Sequence, residues 1–136
     1  MAVVIAENES TLKLKNLICL KSSTARSIDG NPNKLNMTAR KKIKFSENEI
    51  IVEVGVLVHD DKNSFEAEVV MCGIFEMNKK NAGVDDEIER HIMERNTVAI
   101  IFPYLRSQMS LITTQPDMTP VIIPPLNINA WFDSEK

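Results

Sequence analysis

Cys19, Cys72, His59 and His91 are the groups in this sequence best suited to metal binding or nucleophilic chemistry. A tetrahedral zinc site of Cys and His needs four ligands, usually supplied as closely spaced pairs. Neither cysteine belongs to a CxxC pair, so all four scattered residues would have to converge. Cysteine is otherwise a small buried hydrophobe, and that is the expectation for both. Ser, His and Asp are all present, but no spacing suggests a triad. GxSxG, HExxH and a phosphate-cradling glycine loop are missing, and four glycines are too few for most nucleotide-binding turns. The acidic run Asp85, Asp86, Glu87 and Glu89 lacks the ligand order of a calcium loop. It reads as a helix start, where the positive end of the macrodipole favours acids. The expectation is a protein without a catalytic site, cofactor or metal.

Arg40, Lys41, Lys42 and Lys44 form a basic cluster that could contact phosphate or an acidic partner. The plainer reading is a solvated strand end. Lys and Arg total 16 against 19 Asp and Glu, for a formal net charge of −3 and a pI near 5.4. That balance argues against nucleic acid as the partner.

Hydropathy periodicity outlines the scaffold that must hold these groups. From Thr11, Leu12, Leu14, Ile18 and Leu20 alternate with Lys13, Lys15 and Lys21, the period of a half-buried strand. Residues 22–37 are rich in Ser, Asn, Thr, Gly and Pro and read as a long loop or bulged edge. Alternation resumes over 42–46, with Ile43 and Phe45 on one face, and Ser46-Glu47-Asn48 reads as a turn. Ile50, Val52, Val54, Val56 and Val58 form the clearest strand. A hairpin loop over 59–63 leads to the next strand, marked by Phe65, Ala67, Val69, Met71, Gly73, Phe75 and Met77.

The period then becomes helical. Ile88, Ile92 and Met93 mark one helix. A second, more apolar helix is expected over 97–114, with Val98, Ile101, Phe102, Leu105, Met109 and Ile112 on one stripe. Pro103 falls in its first turns if it begins near Ala99, where a missing N–H costs least. The stripe could pack on the sheet. Yet Ile100 adjoins Ile101 and Phe102, and Leu111 lies off the stripe, so the helix is apolar on more than one side and needs a second cover. In a chain this small a subunit interface is the simplest one, which makes Ile101, Leu105, Met109 and Ile112 the expected oligomer contacts.

Between 116 and 125, Pro116, Pro120, Pro124 and Pro125 forbid both helix and central strand. The segment still carries Met118, Val121, Ile122 and Ile123, so it must pack as an extended strap. A rigid linker is the plain reading. One wall of an apolar groove is the functional one, because exposed apolar surface on a soluble protein usually marks a binding site. A short helix or turn over 126–132 ends the pattern before a charged tail at 133–136.

Strands followed by helices give an α+β class with an antiparallel sheet and helices on one side. The 136 residues fit a single domain, with 1–10 as an N-terminal arm. The N-terminus lacks the basic region of a signal peptide, and no apolar run approaches a membrane span. The expected location is the cytoplasm.

Several blocks resemble the SecB export-chaperone family. Phe102-Pro103-Tyr104-Leu105-Arg106 is similar to its FPYAR helix motif. Pro120-Val121-Ile122-Ile123-Pro124-Pro125-Leu126-Asn127-Ile128-Asn129-Ala130-Trp131-Phe132 resembles its crossover loop and final helix. Phe65, Glu68-Val69 and Gly73-Ile74-Phe75 resemble its strand with a GGIF ending. The likeness covers roughly 11–132, with all blocks in the same order.

The resemblance implies a four-stranded antiparallel sheet, a long helix, a proline-rich crossover loop and a short C-terminal helix. It implies a homotetramer built as a dimer of dimers. It implies an ATP-independent holdase that keeps unfolded or precursor polypeptides in apolar grooves, with a possible part in export. On that reading Met118, Val121, Ile123 and Leu126 line the groove with Ile128, Trp131 and Phe132, and Ile74 adds a sheet contribution. In that family, docking to the SecA motor uses acidic residues on the outer sheet face and first strand. Glu68 matches one such position, but the others fall on Lys21 and Ala25, and an apolar one falls on Glu66. Glu66 and Glu68 are the candidate docking residues, and the site is only partly kept. Two alternatives follow: a dedicated chaperone of one partner such as an antitoxin, or a non-chaperone adaptor subunit.

Overall fold

The computed structural model describes residues 12–29, 34–77 and 86–134. Four strands precede two helices: β1 (Leu12–Arg26), β2 (Leu35–Phe45), β3 (Glu49–Asp60), β4 (Phe65–Met77), α1 (Asp86–Ile112) and α2 (Ile128–Ser134). The sheet is antiparallel, in the order β1-β4-β3-β2. Composition explains that order. β3 and β4 carry apolar residues on both faces and take the centre, while β1 and β2 are polar on one face and form the edges. The α+β expectation holds, with its four strands, long helix, proline-rich crossover and short last helix.

The core lies between one sheet face and α1. Ile50, Val52, Val54 and Val56 of β3 and Phe65, Val69 and Phe75 of β4 are fully buried beneath Val98, Ile101, Leu105 and Met109. Gly73 lets the helix approach closely: a Cβ there would sit 2.8 Å from both Ile101 Cδ1 and Phe75 Cε1. Among the described residues, no helix is long and apolar enough to cross a membrane.

Three expectations about the elements need correction. First, Ile18 and Leu20 do not share a face with Leu12 and Leu14. Register shifts between Leu14 and Asn16 and between Cys19 and Lys21 make Leu17 the next core-facing residue and leave Ile18 and Leu20 exposed. A bulge adds one residue and inverts the alternation beyond it. Second, much of 22–37 is strand. Ser22 and Thr24 continue β1 because they accept hydrogen bonds from Gln108 (3.1 Å) and Gln115 (2.8 Å), so their polarity is satisfied in place. Third, the two expected helices are one of 27 residues, and Pro103 lies well inside it. The proline removes the amide that would bond to the carbonyl of Ala99. Both residues face solvent, so water can serve that carbonyl. The proposed arm at 1–10 and Asp85 lie outside the described residues.

The β3–β4 hairpin is closed by a buried aspartate. Asp60 Oδ1 accepts from the amides of Ser64 (2.7 Å) and Phe65 (3.1 Å), and Oδ2 accepts from the Ser64 hydroxyl. Asn63 sits at φ 54, a left-handed conformation that Asn tolerates. The Ser64 hydroxyl, followed by the Phe65 and Ser64 amides, holds the Asp60 carboxyl below its ordinary range against the opposing effect of burial. A carboxyl depressed in the folded state stabilises it above the unfolded value of about 3.9 and loses that contribution as pH falls through the folded value. Asp60→Ala should therefore lower the urea midpoint near neutral pH and soften its fall below about pH 4. Urea titrations of both proteins across that range check this.

Candidate functional site

The chain between the helices, 113–127, crosses the molecule as an extended strap. Among the described residues, its hydrogen bonds before Asn127 run to α1 and β1. Arg106 Nε donates to the Ile123 carbonyl (2.8 Å) and Ser110 Oγ to the Val121 carbonyl (3.3 Å). Thr113 Oγ1 donates to the Met109 carbonyl (2.7 Å) and accepts from the Val121 amide (2.8 Å). Arg26 of β1 donates to the Asp117 carbonyl (2.8 Å), where Asp117 turns the chain at φ 56. Among the described residues, no backbone hydrogen bond joins the strap to β2. Four prolines deny it the regular spacing of amides a strand would need.

A cleft of about 300 Å³ therefore lies between strap and sheet edge. Leu35, Met37 and Val58 form one wall, and Val121, Ile122 and Ile123 the other. Ile122 is 72% exposed, the most open large hydrophobic side chain in the strap. β2 is an edge strand, so among the described residues its backbone polar groups on this side have no sheet neighbour. The cleft thus joins apolar side-chain surface to an unpaired strand edge.

The far end of the edge is closed. Asn127 caps α2 by accepting from the Ala130 amide (3.2 Å). Asn129 Nδ2 donates to the Arg95 carbonyl (2.9 Å), and Arg95 pairs with Asp133 (2.9 Å), fixing α2 on α1. Lys41 points inward from β2, 4.8 Å from the Phe132 ring centroid and 3.0 Å from Glu94 Oε1. The basic cluster is thereby split: Lys41 is half-buried under α2, while Arg40, Lys42 and Lys44 project from the opposite face.

Of the expected groove residues, Val121 and Ile123 line the cleft. Met118, Leu126 and Trp131 are half-buried along the strap and α2 and pack against the core. Ile128 and Phe132 are a correction: one turn apart, they insert beneath α2 into the core and lie outside the cleft lining. Ile74 is a second correction. It lies on the outer sheet face, away from the strap, because it is out of phase with core-facing Phe75. The expected oligomer contacts are a third. Ile101, Leu105 and Met109 are 0% exposed against the sheet, and Ile112 is half-buried beside them, so they are covered within one subunit. The open side of α1 carries Ile100, Tyr104 and Leu111 instead, at roughly heptad spacing. Leu35 and Met37 come from a stretch whose composition reads as a loop, and Ile122 belongs to the expected strap wall but not to its candidate groove residues.

The outer sheet face bears the candidate docking acids. Glu66 is exposed, opposite Ala25 and His59. Glu68 is held by Lys21 (2.6 Å) and Arg40 (3.4 Å), and the Lys21 hydrogen bond leads the effects that lower its pKa. Arg40 lies flat across Gly55, where a Cβ would meet its Nε at 3.1 Å. Cys72 is buried on this face, its thiol pushed up by burial and by Glu53, whereas Cys19 is exposed, contrary to expectation. Among the described residues, no three of His, Cys, Asp and Glu converge as metal ligands.

Comparison with known proteins agrees with this architecture. The family model described as preprotein translocase subunit SecB matches residues 23–136. An uncharacterised protein of Methanocaldococcus jannaschii is 30% identical over 104 residues, covering 70% of this chain and 63% of its own length. The protein-export protein SecB of Saccharophagus degradans is 29% identical over 113 residues, covering 79% of this chain and 64% of its own length. This chain thus spans under two thirds of the length of these curated relatives. Among solved structures, the Mycobacterium tuberculosis Rv1957 SecB-like chaperone, in complex with a ChAD peptide from the Rv1956 HigA1 antitoxin, superposes with a TM-score of 0.67 at 13% identity. The match covers 85% of this chain and 87% of that one and shows a common fold.

Proposed function

Since this chain belongs to the SecB family, we propose that it is an ATP-independent holdase that keeps unfolded polypeptides in the cleft between strap and β2. The observation that carries this reading is the pairing of an open apolar cleft with an unpaired strand edge. Non-native chains expose apolar segments and unsatisfied backbone groups together. An apolar side chain buried in the cleft gains about 1.5–3 kcal/mol before ordering costs. An extended client segment also adds backbone hydrogen bonds along β2. Both gains are indifferent to most of the client's sequence, so selectivity is broad and no chemical step is involved.

Several clefts on one oligomer raise avidity through effective concentration. The proposed self-contact is the Ile100, Tyr104 and Leu111 side of α1, which leaves the strap free. The protein would act in the cytoplasm.

A second reading, a dedicated chaperone of one partner, is favoured by Glu68. Its carboxylate is taken up by Lys21 and Arg40, so of the two candidate docking acids Glu66 alone stays exposed to a motor such as SecA. The Rv1957 protein, of the same fold, holds an antitoxin peptide.

Light scattering distinguishes the readings. The holdase should suppress aggregation of at least two unrelated unfolded proteins without ATP. The emission of Trp131, the single tryptophan and half-buried on α2, should shift on client addition. Protection of one client alone supports the dedicated reading. Protection of none, with silent emission, supports an adaptor subunit.

A further inference from the structure

Three side chains of α1 hold the strap by its backbone. Arg106, Ser110 and Thr113 lie on one side of the helix, at spacings of four and three. Thr113 Oγ1 accepts from the Val121 amide (2.8 Å), Ser110 Oγ donates to the Val121 carbonyl (3.3 Å) and Arg106 Nε donates to the Ile123 carbonyl (2.8 Å). In extended chain each residue turns its N–H and C=O to one side, and the next residue turns its own to the other. α1 therefore stands where a neighbouring strand would, and it takes up the polar groups of Val121 and Ile123. The N–H and C=O of Ile122 are left facing away from α1. Among the described residues, no hydrogen bond reaches either of them.

The prolines isolate this pair of groups. Pro120 and Pro124 share the phase of Ile122, two residues to either side, and neither has an N–H. The Pro124 carbonyl already accepts from the Leu126 amide (2.7 Å). The free edge of the strap thus offers one donor, at Ile122, with acceptors at Pro120 and Ile122. So short an edge, broken by proline, is a poor template for aggregation. Yet it belongs to one wall of the cleft, and the other wall is Leu35 and Met37 of edge strand β2. Further along β2, Lys41 and α2 close that wall, so only a few residues of a bound chain can lie between the two edges.

We propose that the strap is a second hydrogen-bonding edge of the client site: an extended segment lies between β2 and Ile122 and pairs with both through its backbone. This rests on the holdase reading and deepens it. Alternate residues of the segment turn their amides to β2, and a residue between them exchanges hydrogen bonds with the N–H and C=O of Ile122. A segment held from one side needs free amides at every second residue. One held from both sides needs them at neighbouring residues. The ligand class is therefore an extended segment without proline where it crosses the cleft.

The test uses the full chain and a labelled nine-residue serine peptide with leucine at its fourth and sixth residues, which set the register. Single N-methyl groups at the fourth, fifth and sixth residues each delete one amide donor. Fluorescence anisotropy should show losses of about threefold or more, the effect of one hydrogen bond, at the fifth residue and also at the fourth or sixth. Losses at the fifth residue alone, or at the fourth and sixth alone, mean pairing from one side and overturn the proposal. So does tight binding that no methyl group weakens, and the holdase reading then stands on side chains or on β2. A second comparison removes the donor from the protein. Ile122→Pro and Ile122→Ala both lose the isoleucine side chain, but only the first loses the amide. With matching thermal melts, Ile122→Pro should bind a labelled, permanently unfolded polypeptide about threefold or more weakly than Ile122→Ala. Equal affinity of the two variants overturns the proposal even where the short peptide does not bind. If wild type binds neither peptide nor any unfolded protein, the holdase reading fails and the second edge with it.

Discussion

Leu105→Ala is expected to remove about 2–5 kcal/mol from the unfolding free energy, the usual cost of deleting a buried leucine and leaving a cavity. Domains of this kind are stable by only about 5–15 kcal/mol, so the loss should be plain in a urea titration. Leu105 is 0% exposed, packed where α1 lies on the central strands. Its neighbours Ile101 and Met109 are equally buried, and Gly73 fixes the close approach of Ile101, so the site has little freedom to collapse. Leu111→Ser probes the other side of the same helix. Leu111 is 67% exposed, and its replacement should lower the mass in solution rather than empty the core. An unchanged urea midpoint for Leu105→Ala, with a lower mass in solution, would restore the assignment of the buried stripe to subunit contacts.

That reversal shows what a sequence can and cannot say about a helix apolar on two sides. Ile101, Leu105 and Met109 form one row and Ile100, Tyr104 and Leu111 another. Spacing reveals both rows, but only the position of the sheet decides which is core. The central strands were legible because every second residue from Ile50 to Val58 is apolar, and likewise from Phe65 to Met77 with glycine at 73. Alternation alone mispredicts β1 because bulges shift its phase, and a bulge leaves no residue type that marks it. Its end reads as a loop in composition because Ser22 and Thr24 are polar, although Gln108 and Gln115 satisfy them. The continuity of α1 was hidden by Pro103 and by a first half whose apolar residues Ile88 and Ile92 face solvent.

The site was half legible. Prolines among apolar residues announced the strap, and Val121 and Ile123 do line a cleft. The facing wall was not visible, because Leu35 and Met37 are interleaved with Asn36 and Thr38 in a stretch that composition assigns to a loop. Ile128 and Phe132 looked like groove residues because they are apolar and near the strap. Their spacing of one turn is equally that of a face docked on the core, where the structure places them.

The second large effect is expected at the strap itself. Ile122 is open to solvent yet stands on the cleft wall, so Ile122→Asp should leave stability within about 0.5 kcal/mol, as surface changes usually do. Client binding should suffer far more. The variant loses the burial of one large apolar side chain, about 1.5–3 kcal/mol, and adds a carboxylate that any occupant must desolvate. Since about 1.4 kcal/mol is tenfold in affinity, each site should weaken by roughly 10- to 100-fold.

Affinity for a labelled, permanently unfolded polypeptide, measured on wild type and Ile122→Asp side by side, decides whether the strap and β2 form the client site. Tight binding by the wild type and a loss of tenfold or more in the equally stable variant is the predicted result. Equal binding by the two proteins would contradict it and move the client to another surface.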